Sequence, residues 1–342
     1  MNIKTIWVLL KETFVEWNAD KASRLAAALS YYTIFSLAPL LIIAIAIVGA
    51  VFGEEAARGE IVGQIQGLVG KEGAQFIQTA IENASQPQTG TVASIISVVV
   101  ILFGASGFFA QLQDALNTIW EVQPKPDQGL VNIIRTRFLS FTMVLGVGFL
   151  LLVSLLLSAA LSAVVNYLSN LIPAISLGLQ FFNFILSFAI TTVLFGLIYK
   201  VLPDVKIAWS DVWIGAIITS LLFAIGRFLL GMYFGNSNIG STYGAAGSLV
   251  IILAWVYYAA QILFFGAEFT QVYARRFGSQ IVPTKNAIPI TNEARAEQGM
   301  TQNNQKRQTK KSNSTSPNLI GRLFRRLSQP KRSKRRRRNR QP

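Results

Sequence analysis

The chain has 342 residues, of which 52% are hydrophobic and 14% are charged. Soluble domains average about 25% charged residues, so this composition indicates a membrane protein. Cysteine and histidine are both absent, which excludes disulfides, a thiol nucleophile, and the usual zinc ligand and general base. The formal charge of +15 comes from one end of the chain, since residues 1–274 carry −2 and residues 275–342 carry +17.

Residues 1–24 are predicted to form an amphipathic interfacial helix that lies in the headgroup layer of a membrane. Large apolar residues recur there at helical spacing, with Lys4, Lys11 and Glu12 on other faces. The apolar positions are Ile3, Ile6, Trp7, Leu10, Phe14 and Trp17. A helix packed against the end of a helical bundle is the alternative interpretation.

Six apolar runs follow, and each is long enough to cross a bilayer or nearly so, because about 20 helical residues span the roughly 30 Å hydrocarbon core. The predicted spans are about 25–52, 92–109, 138–165, 177–199, 212–234 and 248–269. The predicted fold class is therefore all-α, an integral membrane bundle of six transmembrane helices within residues 25–275. Between the first two spans, the pattern predicts two short amphipathic helices broken at Gly70.

The first span contains a proline with many hydroxyl groups just before it. Pro39 has no N–H, so the carbonyl of Phe35 loses its helical donor and a kink is expected. In lipid that carbonyl needs another partner, which a hydroxyl, a neighbouring helix or water can supply. The candidate ligand-facing residues of this broken helix are Tyr31, Tyr32, Ser36 and Pro39. The alternative is a face of small and hydroxylated residues that packs against another helix.

Arg227 is the one charged residue inside the fifth span. Arg227 precedes Phe234 by seven positions, which places it roughly 10 Å inside the end of that helix. A central arginine costs about 2.5–3.5 kcal/mol on insertion scales and less toward a helix end. Arg227 either snorkels or stacks on an aromatic ring, or it meets an anionic ligand. Trp255 and Tyr258 lie near the same depth and complete the candidate ligand-facing set.

Glu268 lies at the end of the sixth span, where we expect an ion pair with a basic residue such as Lys200 or Arg135. A role in relaying protons is the alternative. The sequence shows no cluster of carboxylates at metal-ligand spacing, so it predicts no catalytic residue, no metal site and no cofactor.

Lysine and arginine are concentrated in alternate connections. Residues 1–24, 110–137 and 200–211 contain several, whereas the loops 166–176 and 235–247 contain none. By the positive-inside rule, this distribution predicts that both termini are cytoplasmic. An even number of spans agrees with that orientation.

Residues 276–342 are predicted to form a disordered, polybasic cytoplasmic tail. One amphipathic turn interrupts it, with apolar residues at helical spacing after Asn318. The candidate lipid-surface residues of the tail are Arg322, Arg325, Arg326, Arg335, Arg336, Arg337 and Arg338. Such a segment favours an anionic lipid surface, and a solvated tail is the alternative. Phe324 is the single aromatic residue from Asn292 onward, which disfavours nucleic acid as the partner.

Several short strings, in this order and spacing, resemble the YihY/BrkB family of bacterial inner-membrane proteins. The strings are Ala28–Tyr32 with Ser36 and Pro39; Ala115–Trp120; Tyr199–Pro203 with Trp209, Gly215 and Ala216; Tyr243–Ser248; Trp255–Tyr258; and Gly266–Glu268. The resemblance covers about residues 5–275, and the basic tail lies outside it. It implies a six-helix bundle in the cytoplasmic membrane.

Members of that family are associated with envelope and lipid homeostasis, so the resemblance implies transport or handling of a lipid or another anionic amphiphile, with membrane lipids as partners. The alternative is a non-transporting scaffold whose basic tail recruits anionic lipid or a protein. The family has also carried a ribonuclease label. We expect no enzyme, because the sequence has no histidine, no metal-ligand cluster and no soluble region large enough for a nuclease core. The oligomeric state is not predicted.

Overall fold

The computed structural model describes residues 3–84, 91–125, 142, 146, 176–235, 245–278 and 281–300. The helices are α1 (Ile3–Ala19), α2 (Ala22–Phe52), α3 (Glu54–Ala84), α4 (Thr91–Ile119), α5 (Ser176–Val201), α6 (Trp209–Gly235), α7 (Ala245–Phe277) and α8 (Asn292–Glu297). The strands are β1 (Val122–Pro124), β2 (Val205–Lys206), β3 (Val282–Pro283) and β4 (Ala287–Pro289). We call the end of the bundle where α4, α5 and α7 finish the basal end, and the opposite end the apical end.

Five helices of the described part of the chain are long and apolar enough to cross a membrane. These candidate spans are Ala22–Phe52, Val99–Ile119, Phe184–Val201, Trp209–Met232 and Gly247–Phe277. They agree with five of the six predicted spans, and they confirm an all-α membrane bundle. The predicted span 138–165 lies outside the described residues, apart from positions 142 and 146, so the count of six stays a prediction.

The bundle buries large side chains in its interior and also exposes large apolar side chains on its surface, as expected of a membrane protein. Its largest fully buried side chains include Trp120, Tyr199 and Phe264, which lie toward the basal end. Large apolar side chains such as Phe184 and Phe228 are instead exposed on the outer faces of α5 and α6. Lipid tails can cover such apolar faces, because they are as apolar as the side chains themselves.

Helix α2 continues through Pro39 without a break. The ring of Pro39 lies against α4 at Gly104, where a methyl group would come within 2.9 Å of the proline Cγ. One turn away, a methyl group at Gly107 would lie 3.2 Å from the hydroxyl oxygen of Ser36. The small residues of α4 thus let the proline-containing face of α2 approach closely.

Helix α3 is two helical segments joined at Gly70, which confirms the predicted break. Gly70 has a φ of 79°, a left-handed conformation that glycine adopts without the steric cost of a Cβ. The buried face of α3 packs on the apical halves of α2 and α7, where Ile61 and Ile77 join a cluster with Ile45 and Ile251.

Helices α6 and α7 cross with reciprocal glycine–threonine contacts. A methyl group at Gly215 of α6 would lie 1.7 Å from the Thr270 hydroxyl oxygen, and one at Gly266 of α7 would lie 1.8 Å from that of Thr219. Each threonine hydroxyl donates to the carbonyl of the glycine four residues earlier in its own helix, at 2.7 Å. Each glycine therefore leaves the space that the opposing threonine fills, so the two helices touch more closely than larger residues would allow.

The predicted start of the disordered tail is wrong. Helix α7 continues to Phe277, and residues 281–300 form β3, β4 and α8. Strand β4 pairs with β1, and β3 pairs with β2, in both cases antiparallel. Arg295 of α8 is buried and forms an ion pair with Asp20, which follows α1. These nonlocal contacts order a polar segment that its composition alone could not. The lipid-surface arginines from Arg322 onward lie outside the described residues.

Candidate functional site

An apolar cavity of about 360 Å³ lies in the middle of the bundle. Helices α2, α4, α5, α6 and α7 all contribute to its wall, and Thr33 supplies the one hydroxyl group among the lining side chains. That hydroxyl is already engaged, because it donates to the carbonyl of Leu29 at 2.7 Å. The described lining of the cavity is therefore almost entirely apolar, and the indole N–H of Trp255 is its other polar side-chain group.

A groove of about 230 Å³ lies between α5 and α6 and contains Arg227. Ser187 and Thr191 of α5 line the same groove, together with aromatic residues of both helices. Ser220, also in the lining, is buried, and its hydroxyl has no hydrogen-bond partner among the described residues. Arg227 itself is exposed, and the ion pairs within the described parts of the chain do not include it.

The side chain of Phe223 separates the groove from the cavity, since it lines both. Its ring meets Phe195 of α5 edge-on, with the ring centroids 5.6 Å apart. It meets Trp255 of α7 in the same way, with the centroids 6.0 Å apart. Edge-to-face pairs of this kind are favourable but weak, at about 0.5–1.5 kcal/mol each. These contacts place the ring of Phe223 among α5, α6 and α7, between the groove and the cavity.

The structure brings some of the predicted ligand-facing residues to this region. Trp255 lines the cavity and Arg227 lines the groove, on either side of Phe223. Tyr258 lies against α6, where a methyl group at Gly226 would come within 2.5 Å of its ring. Arg227 is the next residue of α6 after that contact, and its side chain is exposed.

The other predicted residues lie apart from the cavity. Tyr31 and Tyr32 are 61% and 44% exposed. Ser36 is buried against Gly107, and Pro39 packs on Gly104. The structure thus places this part of α2 at a helix–helix contact and at the surface. The ligand-facing assignment of all seven residues stays a prediction.

Phe223 is the residue of this region that the sequence analysis missed. It lies four residues before Arg227, and this spacing puts two side chains on the same face of a helix. The spacing could therefore have indicated Phe223 as a neighbour of Arg227. The aromatic partners of Phe223 come from other helices, however, so only the packed structure identifies it as the wall between two hollows.

Two hydrogen-bond networks near the basal end each contain a residue of the family-like strings. Asn117 receives the backbone N–H of Asp204 at 2.7 Å and donates to its carboxylate at 3.1 Å. The hydroxyl of Tyr199 donates to the carbonyl of Leu263 at 2.7 Å and lies 2.9 Å from that of Thr219. Both networks give buried polar groups the hydrogen-bond partners that they need.

Ion pairs join α1 to the end of α7. Arg275 lies 3.2 Å from the carboxylate of Glu12 and 2.8 Å from that of Glu16, and Arg276 lies 2.5 Å from the other oxygen of Glu12. Asp20 pairs with Arg295, and both side chains are almost fully buried. Burial raises the pKa of Asp20 to about 6, even though the nearby guanidinium acts in the opposite direction.

Glu268 does not form the ion pair expected with Lys200. Lys200 donates to the carbonyl of Ile207 and lies over the ring of Trp209, 5.6 Å from its centroid. Arg135, the other expected partner, lies outside the described residues. Glu268 is completely buried, and neither carboxylate oxygen has a hydrogen-bond partner among the described residues.

A helical bundle with five candidate membrane-spanning helices, lipid-compatible outer faces and an apolar interior defines an integral, multi-pass membrane protein. The chain belongs to the BrkB family, because the sequence model of the family described as Virulence factor BrkB matches residues 13–291. The resemblance to the YihY/BrkB family is thereby confirmed, and it extends past residue 275 through strand β4.

Curated relatives carry the name UPF0761 membrane protein. The chain is 27% identical to one from Teredinibacter turnerae over 82% of its own length and 64% of the relative's. It is 28% identical to one from Alcanivorax borkumensis over 78% of its own length and 60% of the relative's. The chain thus spans less than two thirds of these two relatives. A relative from Mannheimia succiniciproducens is 23% identical and is covered over 87% of its length. No solved structure matches this chain.

Proposed function

We propose that this protein binds an anionic amphiphile, a lipid-like molecule with an acidic head group and an apolar chain, and transports or otherwise handles it within the membrane. The observation that carries the proposal is the arrangement around Phe223. An apolar cavity lies on one side of this ring and a groove containing an arginine lies on the other. The two halves of an amphiphile match these two environments.

The head group supplies the selectivity in this arrangement. Lipid tails are as apolar as the cavity wall, so moving an acyl chain from bilayer to cavity gains little by itself. An arginine in an apolar setting is costly, and an anionic head group relieves that cost. The planar guanidinium of Arg227 can grip a phosphate or carboxylate with two parallel hydrogen bonds. The hydroxyl groups of Ser187 and Thr191 add polar contacts in the same groove.

The proposed location is the bacterial cytoplasmic membrane, with both termini in the cytoplasm. The relatives are bacterial membrane proteins. The basal end would then face the cytoplasm, because the lysine- and arginine-rich connections lie at that end of the spans. The groove of Arg227 lies toward the apical half of α6, so the amphiphile would enter from the half of the membrane away from the cytoplasm.

A photoreactive lipid tests whether an acyl chain enters the cavity. The probe is phosphatidic acid with a diazirine at the end of one acyl chain, added to the full chain in nanodiscs. We expect cross-links at cavity residues such as Leu37 and Leu194, in addition to those at exposed Ile217 of α6. Phosphatidylcholine with the same diazirine should label the cavity less, because its head group carries no net charge.

The matched variant is Phe223→Trp, which enlarges the wall between groove and cavity. We expect it to reduce cavity cross-links severalfold and to leave those at Ile217 unchanged. Cross-links confined to exposed faces with both probes would contradict the proposal, as would equal labelling of the cavity by both.

Recruitment of anionic lipid by the basic tail, without transport, is the second function considered. Its residues lie outside the described part of the chain, so it stays a prediction. A ribonuclease activity is not part of the proposed function.

A further inference from the structure

The basal end holds a carboxyl group that the proposed function does not use. Glu268 has no exposed surface, and both of its carboxylate oxygens lack a hydrogen-bond partner among the described residues. Burying an ionised carboxylate without a partner costs far more than burying a neutral polar group. A carboxyl group in this position therefore needs a proton or a bound cation.

Among the described residues, the charges that act on Glu268 do not supply that cation. Asp20 and Glu16 of the α1 region and Glu121 after α4 are all acidic and act against a negative charge at Glu268. Arg275 is the basic residue acting on it, and its guanidinium is bound to Glu12 and Glu16. Arg295 is similarly bound to Asp20. The described basic groups near Glu268 are thus committed to other carboxylates.

The described residues around Glu268 do not offer a metal site either. No group of three or more histidine, cysteine or acidic residues that could hold a metal ion is found within the described residues. A proton needs no such ligand cage, and it neutralises a single carboxylate directly.

A pocket lies about one helical turn along α7 from Glu268. This pocket, of about 390 Å³, lies at the basal end between α7, the turn after α4, and β3 and β4. Gln271 lines this pocket, and its side-chain oxygen is buried without a hydrogen-bond partner among the described residues. It follows Glu268 by three residues, a spacing that places the two side chains on one face of the helix.

We propose that Glu268 is a proton-binding site that exchanges with the solution at the basal end through this pocket and past Gln271. The carboxylate accepts the proton on one oxygen, and its release leaves a negative charge inside the bundle. Glu268 follows Gly266 by two residues, so its side chain lies on the face of α7 turned away from the close crossing with α6.

Infrared spectroscopy of the purified full chain in nanodiscs tests the site without any substrate. At neutral pH, where Asp20 with a pKa of about 6 is largely ionised, we expect a carbonyl band of a protonated carboxyl group. Glu268→Gln should lose this band and keep the fold, because glutamine resembles the neutral acid in shape. The control Glu82→Gln, on the exposed face of α3, should keep the band.

A second variant tests the route. Gln271→Leu should retain the band. After transfer to deuterated water, the shift of the band caused by hydrogen–deuterium exchange should be several-fold slower than in the wild type. An unchanged spectrum in Glu268→Gln would overturn the proposal, and so would unfolding of that variant, which would show that the ionised form is required. Loss of the band in Glu268→Gln, together with cross-linking of the lipid in the wild-type cavity, would support both proposals. A wild type that shows the band but no cavity cross-links would contradict only the proposed binding of an amphiphile.

Discussion

Replacing Gly266 with alanine is expected to destabilise the bundle strongly. The new methyl group would lie 1.8 Å from the hydroxyl oxygen of Thr219 and 2.6 Å from that of Tyr199. Tyr199 is completely buried and hydrogen-bonded to Leu263, so it cannot move aside without breaking that bond. Overpacking of a close-packed site costs about 1–3 kcal/mol and occasionally more. Thermal unfolding in detergent, monitored as the loss of monodisperse protein, measures the effect.

The reciprocal contact predicts the same result for Gly215→Ala, because its methyl group would lie 1.7 Å from the Thr270 hydroxyl oxygen. Gly231→Ala is the matched control on the same helix α6, since nothing lies within 4 Å of its added methyl group. The control should be neutral or stabilise by up to about 1 kcal/mol, the helix-propensity gain of alanine. Equal melting temperatures for Gly215→Ala and Gly231→Ala would contradict the close crossing.

Arg295→Met is expected to detach the segment 281–300 from the basal end. Arg295 and Asp20 are each only 3% exposed in their side chains, and removing one partner of a buried ion pair costs about 3–5 kcal/mol. The loss arises because the other charge stays buried without compensation. Limited proteolysis of the purified chain should then cleave between Phe277 and Met300, where the wild type resists.

Two variants separate the buried ion pair from a general effect of charge. Asp20→Asn combined with Arg295→Met should recover part of the lost stability, because no uncompensated charge remains. Arg276→Met removes an arginine that is 43% exposed, and exposed pairs contribute about 1 kcal/mol or less. Wild-type resistance to proteolysis in Arg295→Met would show that strand pairing alone holds the segment.

The membrane spans could be predicted from the sequence because the signal is local. Each span is a long run of apolar residues, and hydropathy alone finds it. The break at Gly70 could also be predicted, since a glycine between two amphipathic patterns indicates a break. The segment 281–300 could not be predicted, because its order depends on β1, β2 and Asp20, which lie far away in the sequence.

The candidate site could be predicted only in part, for a related reason. Arg227 stands out in the sequence because a charge inside an apolar helix is rare. Phe223 looks like any other apolar residue until α5 and α7 pack around it. Glu268 was expected to find Lys200, but Lys200 instead donates to Ile207. Pairing among distant side chains depends on helix rotation, which hydropathy does not specify.

The most direct test of the proposed function is native mass spectrometry of gently extracted protein. The wild type should retain anionic lipid, Arg227→Lys should retain less, and Arg227→Leu should lose most of it. Lysine keeps the charge but loses the planar fork of arginine, which explains the intermediate result. Lys206→Leu, which removes an exposed cation of β2, should leave the retained lipid unchanged. Equal anionic lipid on the wild type and Arg227→Leu would contradict an anionic ligand at Arg227.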